Sequence, residues 1–168
     1  MNRILTIEPL TAEAFSPFGQ VIQAEGARHY PINAGMTERF HDLARVELAG
    51  PGARPMISLF RGQPYSLPLD LRLVERHPLG SQAFYPLSDS PWLVIVAADE
   101  DGTPSKPRVF QPAAAQGVNI AINTWHGVLT PLHHSADFLV VDRGGEGNNL
   151  EEYIFDQPWI ITGEPAPR

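Results

Sequence analysis

Cysteine is absent from the 168-residue chain. That excludes disulfides, thiol nucleophiles and thiolate metal sites together, and it fits a reducing compartment. Basic charge is scarce as well: 12 Lys and Arg stand against 19 Asp and Glu, for a formal net charge of −7. Neutralising phosphates requires the opposite balance, so no nucleic-acid partner is expected. Long hydrophobic runs are also missing. The longest wholly apolar stretch, Trp92 to Ala98, covers seven residues, against the roughly 20 of a membrane-spanning helix, and "MNRILTIEPL" holds no signal-peptide core. No membrane partner is expected, and a cytoplasmic protein is. G-x-S-x-G, H-E-x-x-H, P-loop and dinucleotide-binding glycine patterns do not occur, and no helix-turn-helix output segment is visible.

What is present suits one compact domain over residues 1–168, with 43% hydrophobic and 18% charged residues. The 17 prolines and 14 glycines are spread along the chain and cut it into short pieces. Between them lie eight strand-length runs rich in β-branched and aromatic residues: "RPMISLFR", "LDLRLVERH", "SQAFYPL", "WLVIVAAD", "RVF", "GVNIAIN", "WHGVLT" and "DFLVVDR". The expected fold is all-β, an antiparallel β-barrel with short peripheral helices. Thr11 can cap a helical turn through "AEAF", and "PAAAQG" has the start and stop of another. Residues 25–37 read as an irregular polar loop over one mouth of the barrel, and "GEPAPR" as a frayed end.

The stretch "ERHPLGSQAFYPL" concentrates chemistry. Alternation puts Leu69, Leu71, Leu73, Glu75 and His77 on one face of a strand, and Asp70, Arg72, Val74 and Arg76 on the other. With the leucine face buried, Glu75 enters the interior and needs partners, because an unpaired buried carboxylate is costly. Pro78 and Gly80 bend the chain so that Gln82 can return beside Glu75 and His77. A second bend in "GVNIAINTWHGVLTP" places His126 early in another strand. Any one of these histidines has a bland reading as a satisfied core or surface group. Two strand bends meeting at a barrel mouth favour a pocket. His133 and His134 are adjacent and face opposite sides, His29 reads as exposed, and His41 nears the site only if its segment folds over the mouth.

The Glu-x-His, glycine turn and amide, followed downstream by "WHG", resemble the metal-site motifs of cupins, with Glu75, His77, Gln82 and His126 at the four positions. Two of the four depart from the usual His, His, Glu, His. The full string, with "RFHDLA", "ISLFRGQP", "WHGVLTPL" and "DFLVVDRGG", more narrowly resembles the ureidoglycolate lyase family, formerly called ureidoglycolate hydrolase. The similarity spans about Phe15 to Tyr153. It implies a cupin-like jelly-roll barrel, a homodimer, and cleavage of (S)-ureidoglycolate into glyoxylate and urea in allantoin degradation. It also implies a divalent metal, nickel in particular, at Glu75, His77, Gln82 and His126, although a neutral amide in place of an anionic ligand equally allows a metal-free site.

The substrate implied by that resemblance needs one base and one acid. Glu75, His77 and His126 are the candidates, beside Gln82. A guanidinium should hold its carboxylate, and Arg61 and Arg143 are the candidates for that. Rival readings are an amidohydrolase releasing ammonia and a non-catalytic cupin that binds a small carboxylate. Phe155 and Trp159 near the end are expected to dock on a neighbouring subunit.

Overall fold

The computed structural model describes residues 3–163, and the expected frayed end after Gly163 lies outside them. The strands are β1 (Ile4–Pro9), β2 (Gly19–Ile22), β3 (His29–Ile32), β4 (Thr37–Phe40), β5 (Arg54–Gly62), β6 (Leu69–Arg76), β7 (Gln82–Pro86) and β8 (Trp92–Ala97), then β9 (Asp99–Glu100), β10 (Thr103–Pro104), β11 (Arg108–Gln111), β12 (Gly117–Ile120), β13 (Trp125–His126), β14 (Thr130–Pro131), β15 (Ala136–Gly144) and β16 (Glu151–Thr162). Each of the eight expected runs carries a strand, with "WHGVLT" divided between β13 and β14.

One sheet has the order β11-β1-β16-β6-β13-β8-β14, and a further pairing of β11 with β8 closes it on itself. A second sheet, β2-β12-β7-β15-β5, packs against it. Strand β8 explains why both layers hold. Its Trp92, Val94 and Val96 join Phe84, Val118, Phe138 and Val140 of the second sheet, while Leu93, Ile95 and Ala97 join Leu5, Leu71, Val109 and Ile161 from the closed ring. A strand buried on both faces reads as a continuous apolar run, which is the pattern from Trp92 to Ala98. Ladders are mostly antiparallel, but β1 runs parallel to both β11 and β16.

Helix is as sparse as expected. Thr11 accepts from the Ala14 amide at 3.1 Å to cap α1 (Ala12–Phe15), and Phe15 is fully buried against Phe18 and Phe110. The turn expected in "PAAAQG" is not helical. Ala115 takes φ 58, in the left-handed region, and the Gln116 side chain accepts from the Ala113 amide to close a tight reversal between β11 and β12. Residues 25–37 are more ordered than a loop: His29–Ile32 pairs with Thr37–Phe40 as a hairpin.

Two further expectations are corrected. Val74 is fully buried with Leu71 in the ring cluster, so the pleat of β6 changes phase between them and Glu75 faces away from the Leu71 side. The cause lies opposite, where β16 changes register between Ile154 and Trp159. Trp159 belongs to the same cluster, with Phe155 packed against it, so neither is a surface docking group. Trp159→Ala should therefore destabilise the fold by about 3–5 kcal/mol and leave subunit association unchanged, as thermal melting beside sedimentation will show.

Candidate active site

The ladder between β6 and β13 sets His126 directly opposite Glu75. His77 follows the end of β6, where its carbonyl accepts from the Asn123 amide at 2.9 Å and ties the two bends together. Ligand atoms of Glu75, His77 and His126 all lie within 4.8 Å of one another. The imidazole centroids are 5.1 Å apart. Gln82, at the start of β7, places Oε1 3.2 Å from His77 Nε2. A pocket of about 370 Å³ opens here, lined by Glu75, Gln82, His126 and Arg61, with Phe60, Phe84, Val128 and Leu129 as its apolar wall. A polar hollow of about 250 Å³ lies on the other side of Gln82, lined by His77, Ser81, Asp142, Asn148, Asn149 and Leu150.

Burial sets the charge states. His126 is 2% exposed, and desolvation first, then the neighbouring His77, lowers its pKa to about 4. It is therefore neutral at physiological pH. Nδ1 donates to the Gly127 carbonyl at 3.1 Å, which leaves Nε2 as a buried lone pair with no hydrogen-bond partner among the described residues. Desolvation raises the Glu75 pKa, with His77 pulling it back and Glu152 adding to the rise. His77 Nδ1 donates to the Asn149 carbonyl at 2.7 Å, and its Nε2 lies 3.2 Å from Gln82 Oε1.

Two imidazole nitrogens, a carboxylate and an amide oxygen form a donor set that suits a borderline divalent ion such as nickel or zinc. The orphaned Nε2 of His126 supports that fit, since a buried lone pair without a proton donor is what a cation would satisfy.

The two arginines part company. Arg61 lines the pocket, yet its Nε and Nη2 donate to both oxygens of Asp137 at 2.7 and 2.8 Å on an exposed face. Arg143 is buried and used elsewhere: Nε donates to the Ala49 carbonyl at 2.6 Å, and Nη2 donates to the Glu146 carbonyl at 2.7 Å. Committed to loop carbonyls, it is not a carboxylate clamp, which corrects that expectation. His29 and His41 interact with Glu38 and Tyr30 on the hairpin side, and His133 lines a separate pocket.

Sequence reasoning passed over Asp142, whose Oδ2 accepts from Gln82 Nε2 at 3.3 Å. The signal existed: Ala136, Phe138 and Val140 alternate inward on β15, and Asp142 is next on that face. Arg76 lies, as alternation predicts, on the face away from Glu75 and His77. That guanidinium stacks 4.4 Å from the Trp125 ring and bonds Asp99 and Glu151, while Trp125 Nε1 donates to Asp99 at 2.8 Å.

A pH dependence of stability follows from His126. Its folded pKa lies below the unfolded value near 6.5, so the unfolded chain binds the extra proton between them. Stability from this group is complete above about pH 6.5 and drains away as pH falls through about 4, by on the order of 3 kcal/mol. Glu75, with a raised pKa, opposes this by favouring the folded state on the acid side. Denaturant midpoints from pH 7 to 4 should fall in the unsubstituted chain and fall less in His126→Gln.

The sequence matches the family described as ureidoglycolate lyase over residues 2–162. A Chelativorans sp. (strain BNC1) protein named ureidoglycolate lyase is 62% identical over 161 residues, covering 96% of this chain and 97% of that one. A Rhizobium meliloti (strain 1021) protein named ureidoglycolate lyase 2 is 56% identical, covering 94% and 96%. Among solved structures, a dTDP sugar isomerase from Desulfovibrio desulfuricans G20 aligns with a TM-score of 0.48 at 16% identity, covering 83% and 87%.

Proposed function

Because the chain belongs to the ureidoglycolate lyase family, we propose that it cleaves ureidoglycolate, as the S enantiomer, into glyoxylate and urea, within allantoin degradation in the cytoplasm. The observation that carries the site assignment is the cluster itself: Glu75, His77 and His126 present their ligand atoms within 4.8 Å of one another beside an apolar-walled pocket.

The substrate carries a hydroxyl and a ureido nitrogen on one carbon. A base removes the hydroxyl proton, the carbon–oxygen double bond forms as the carbon–nitrogen bond breaks, and the departing urea nitrogen takes up a proton. In this reading His126 accepts the first proton, which the neutral ring with an unpartnered Nε2 supports. His77, held at Nδ1 by the Asn149 carbonyl with Nε2 turned to the cluster, is our candidate to deliver the second, and Glu75 balances the charge between the rings. Arg61 is the guanidinium that lines the pocket and can meet the substrate carboxylate, in competition with Asp137. A divalent ion, with nickel the expected one, would be held by Glu75, His77, His126 and the Gln82 oxygen; when bound it would occupy the imidazole lone pairs in place of protons and would itself lower the pKa of the substrate hydroxyl. An amidohydrolase or a non-catalytic binder is not favoured, since the relatives are named as lyases over almost their whole length.

A homodimer is part of this reading. The outward face of β5 and β15 exposes Ile57 and Leu59, 76% and 68% accessible, beside Leu139, which sits opposite Leu59 in the ladder. Strand β5 is the free edge of its sheet, so the apolar face and the unpaired edge coincide, which suits a second copy of the same surface.

Incubation with racemic ureidoglycolate, with chelator and with added nickel, should give urea and glyoxylate in equal amounts, consume one enantiomer, and release no ammonia. Glu75→Ala and His126→Ala should each lower kcat by roughly 100-fold or more, and unchanged turnover in both removes the site assignment. Leu59→Glu should convert a dimer to a monomer by sedimentation, and a protein that is monomeric without the substitution refutes the dimer.

A further inference from the structure

Gln82 stands where an anionic ligand is usual in the motif it resembles, and the end of its amide that faces His77 decides what it can do. Oxygen and nitrogen are interchangeable in shape, so the choice belongs to the surroundings. Oε1 faces His77 Nε2 at 3.2 Å, and Nε2 faces Asp142 Oδ2 at 3.3 Å. An ionised carboxylate only accepts. Turning the amide over would set its oxygen against the Asp142 carboxylate oxygen, one acceptor against another.

We propose that Asp142 is a positioning residue that orients the Gln82 amide so that its oxygen, not its nitrogen, is presented to His77 and the catalytic cluster. The proposal rests on the lyase reading of this site and goes beyond it in assigning a role to a residue that touches none of the reacting groups.

Three observations converge on it. Asp142 is the inward continuation of Ala136, Phe138 and Val140, so its carboxylate sits on a face otherwise given to the core. The β7–β15 ladder pairs Ala83 with Val141, which brings Gln82 and Asp142 side by side on adjacent strands of a rigid sheet. Asp142 Oδ1 is buried with no partner among the described residues, and Asp142 forms no ion pair there, so stability does not account for the carboxylate. A half-buried acid with one oxygen enclosed and unpaired, next to a site amide, is accounted for by the amide.

A reciprocal exchange tests this. Gln82→Glu sets two carboxylates against each other, and Asp142→Asn leaves an amide that can turn either end toward Gln82. Each should lower kcat roughly tenfold or more. The double variant Q82E/D142N rebuilds the bond with the two chemistries exchanged between the strands: the new amide on β15 donates its NH2 to the new carboxylate on β7, which again shows oxygen to His77. It should be several-fold more active than either single variant, a coupling that loss of packing alone does not give. Melting temperatures are recorded for all four proteins, and if D142N does not fold, Q82E is compared with the double variant. A double variant no more active than Q82E overturns the proposal. Should the unsubstituted protein release no urea from ureidoglycolate, the lyase reading fails by itself. The proposal is then decided by the Gln82 side-chain amide pair in a 15N-correlation spectrum: a shift between wild type and D142N upholds it, and an unmoved pair overturns it.

Discussion

The site depends on one cross-strand pairing, Glu75 on β6 against His126 on β13. Strand β13 is only two residues long, too short to hold a register by its own hydrogen bonds. It is fixed from behind. Trp125 turns its indole to the opposite face from His126, where Arg76 covers the ring and Asp99 accepts its N–H. Arg76 follows Glu75 in sequence and is itself held by Asp99 and Glu151. One cation thus braces both strands at the residues next to the two functional side chains. Because neighbouring strand residues face opposite sides, the brace stays out of the pocket while fixing what enters it.

That arrangement makes close approach of ionisable groups tolerable. Two imidazoles 5.1 Å apart, one of them fully removed from water, cannot both carry charge cheaply. The conflict is eased by division: His126 is held neutral, its Nε2 without a partner among the described residues, and His77 lies nearer the polar hollow with Nδ1 on the Asn149 carbonyl. Environments that push like groups apart are what assigns acid and base roles to chemically identical side chains.

Much of this was legible in the sequence. Period-two alternation and turn residues located all eight expected strand segments, and bends at Pro78–Gly80 and before Trp125 identified Glu75, His77, Gln82 and His126 as groups able to meet. The phase of β6 was not legible. It is imposed by an irregularity in β16, a strand paired to β6 only through folding, and no local pattern in "LDLRLVER" announces it. The cluster survives this error because Glu75 and His77 move to the other face together. Arg143 was misjudged for a similar reason: glycines beside it suggested access for a ligand, whereas Gly80 and Gly145 let the chain close tightly around the guanidinium and its stem. Trp159 looked like an exposed terminal aromatic because the segment that carries it was not among the eight expected strands.

The Asp142–Arg143 dipeptide shows how a local reading and alternation can disagree, and which should prevail. Read locally, an acid beside a base invites pairing. On a strand the two side chains leave opposite faces, so Arg143 serves the loop at Ala49–Pro51 while Asp142 points toward Gln82. The same alternation that marked Glu75 as a group in need of partners marks Asp142, with a difference in what satisfies it. Glu75 is met by an imidazole across its own sheet. Among the described residues Asp142 has the amide of Gln82, a single neutral donor, and so a half-buried carboxylate and the orientation of that amide depend on each other.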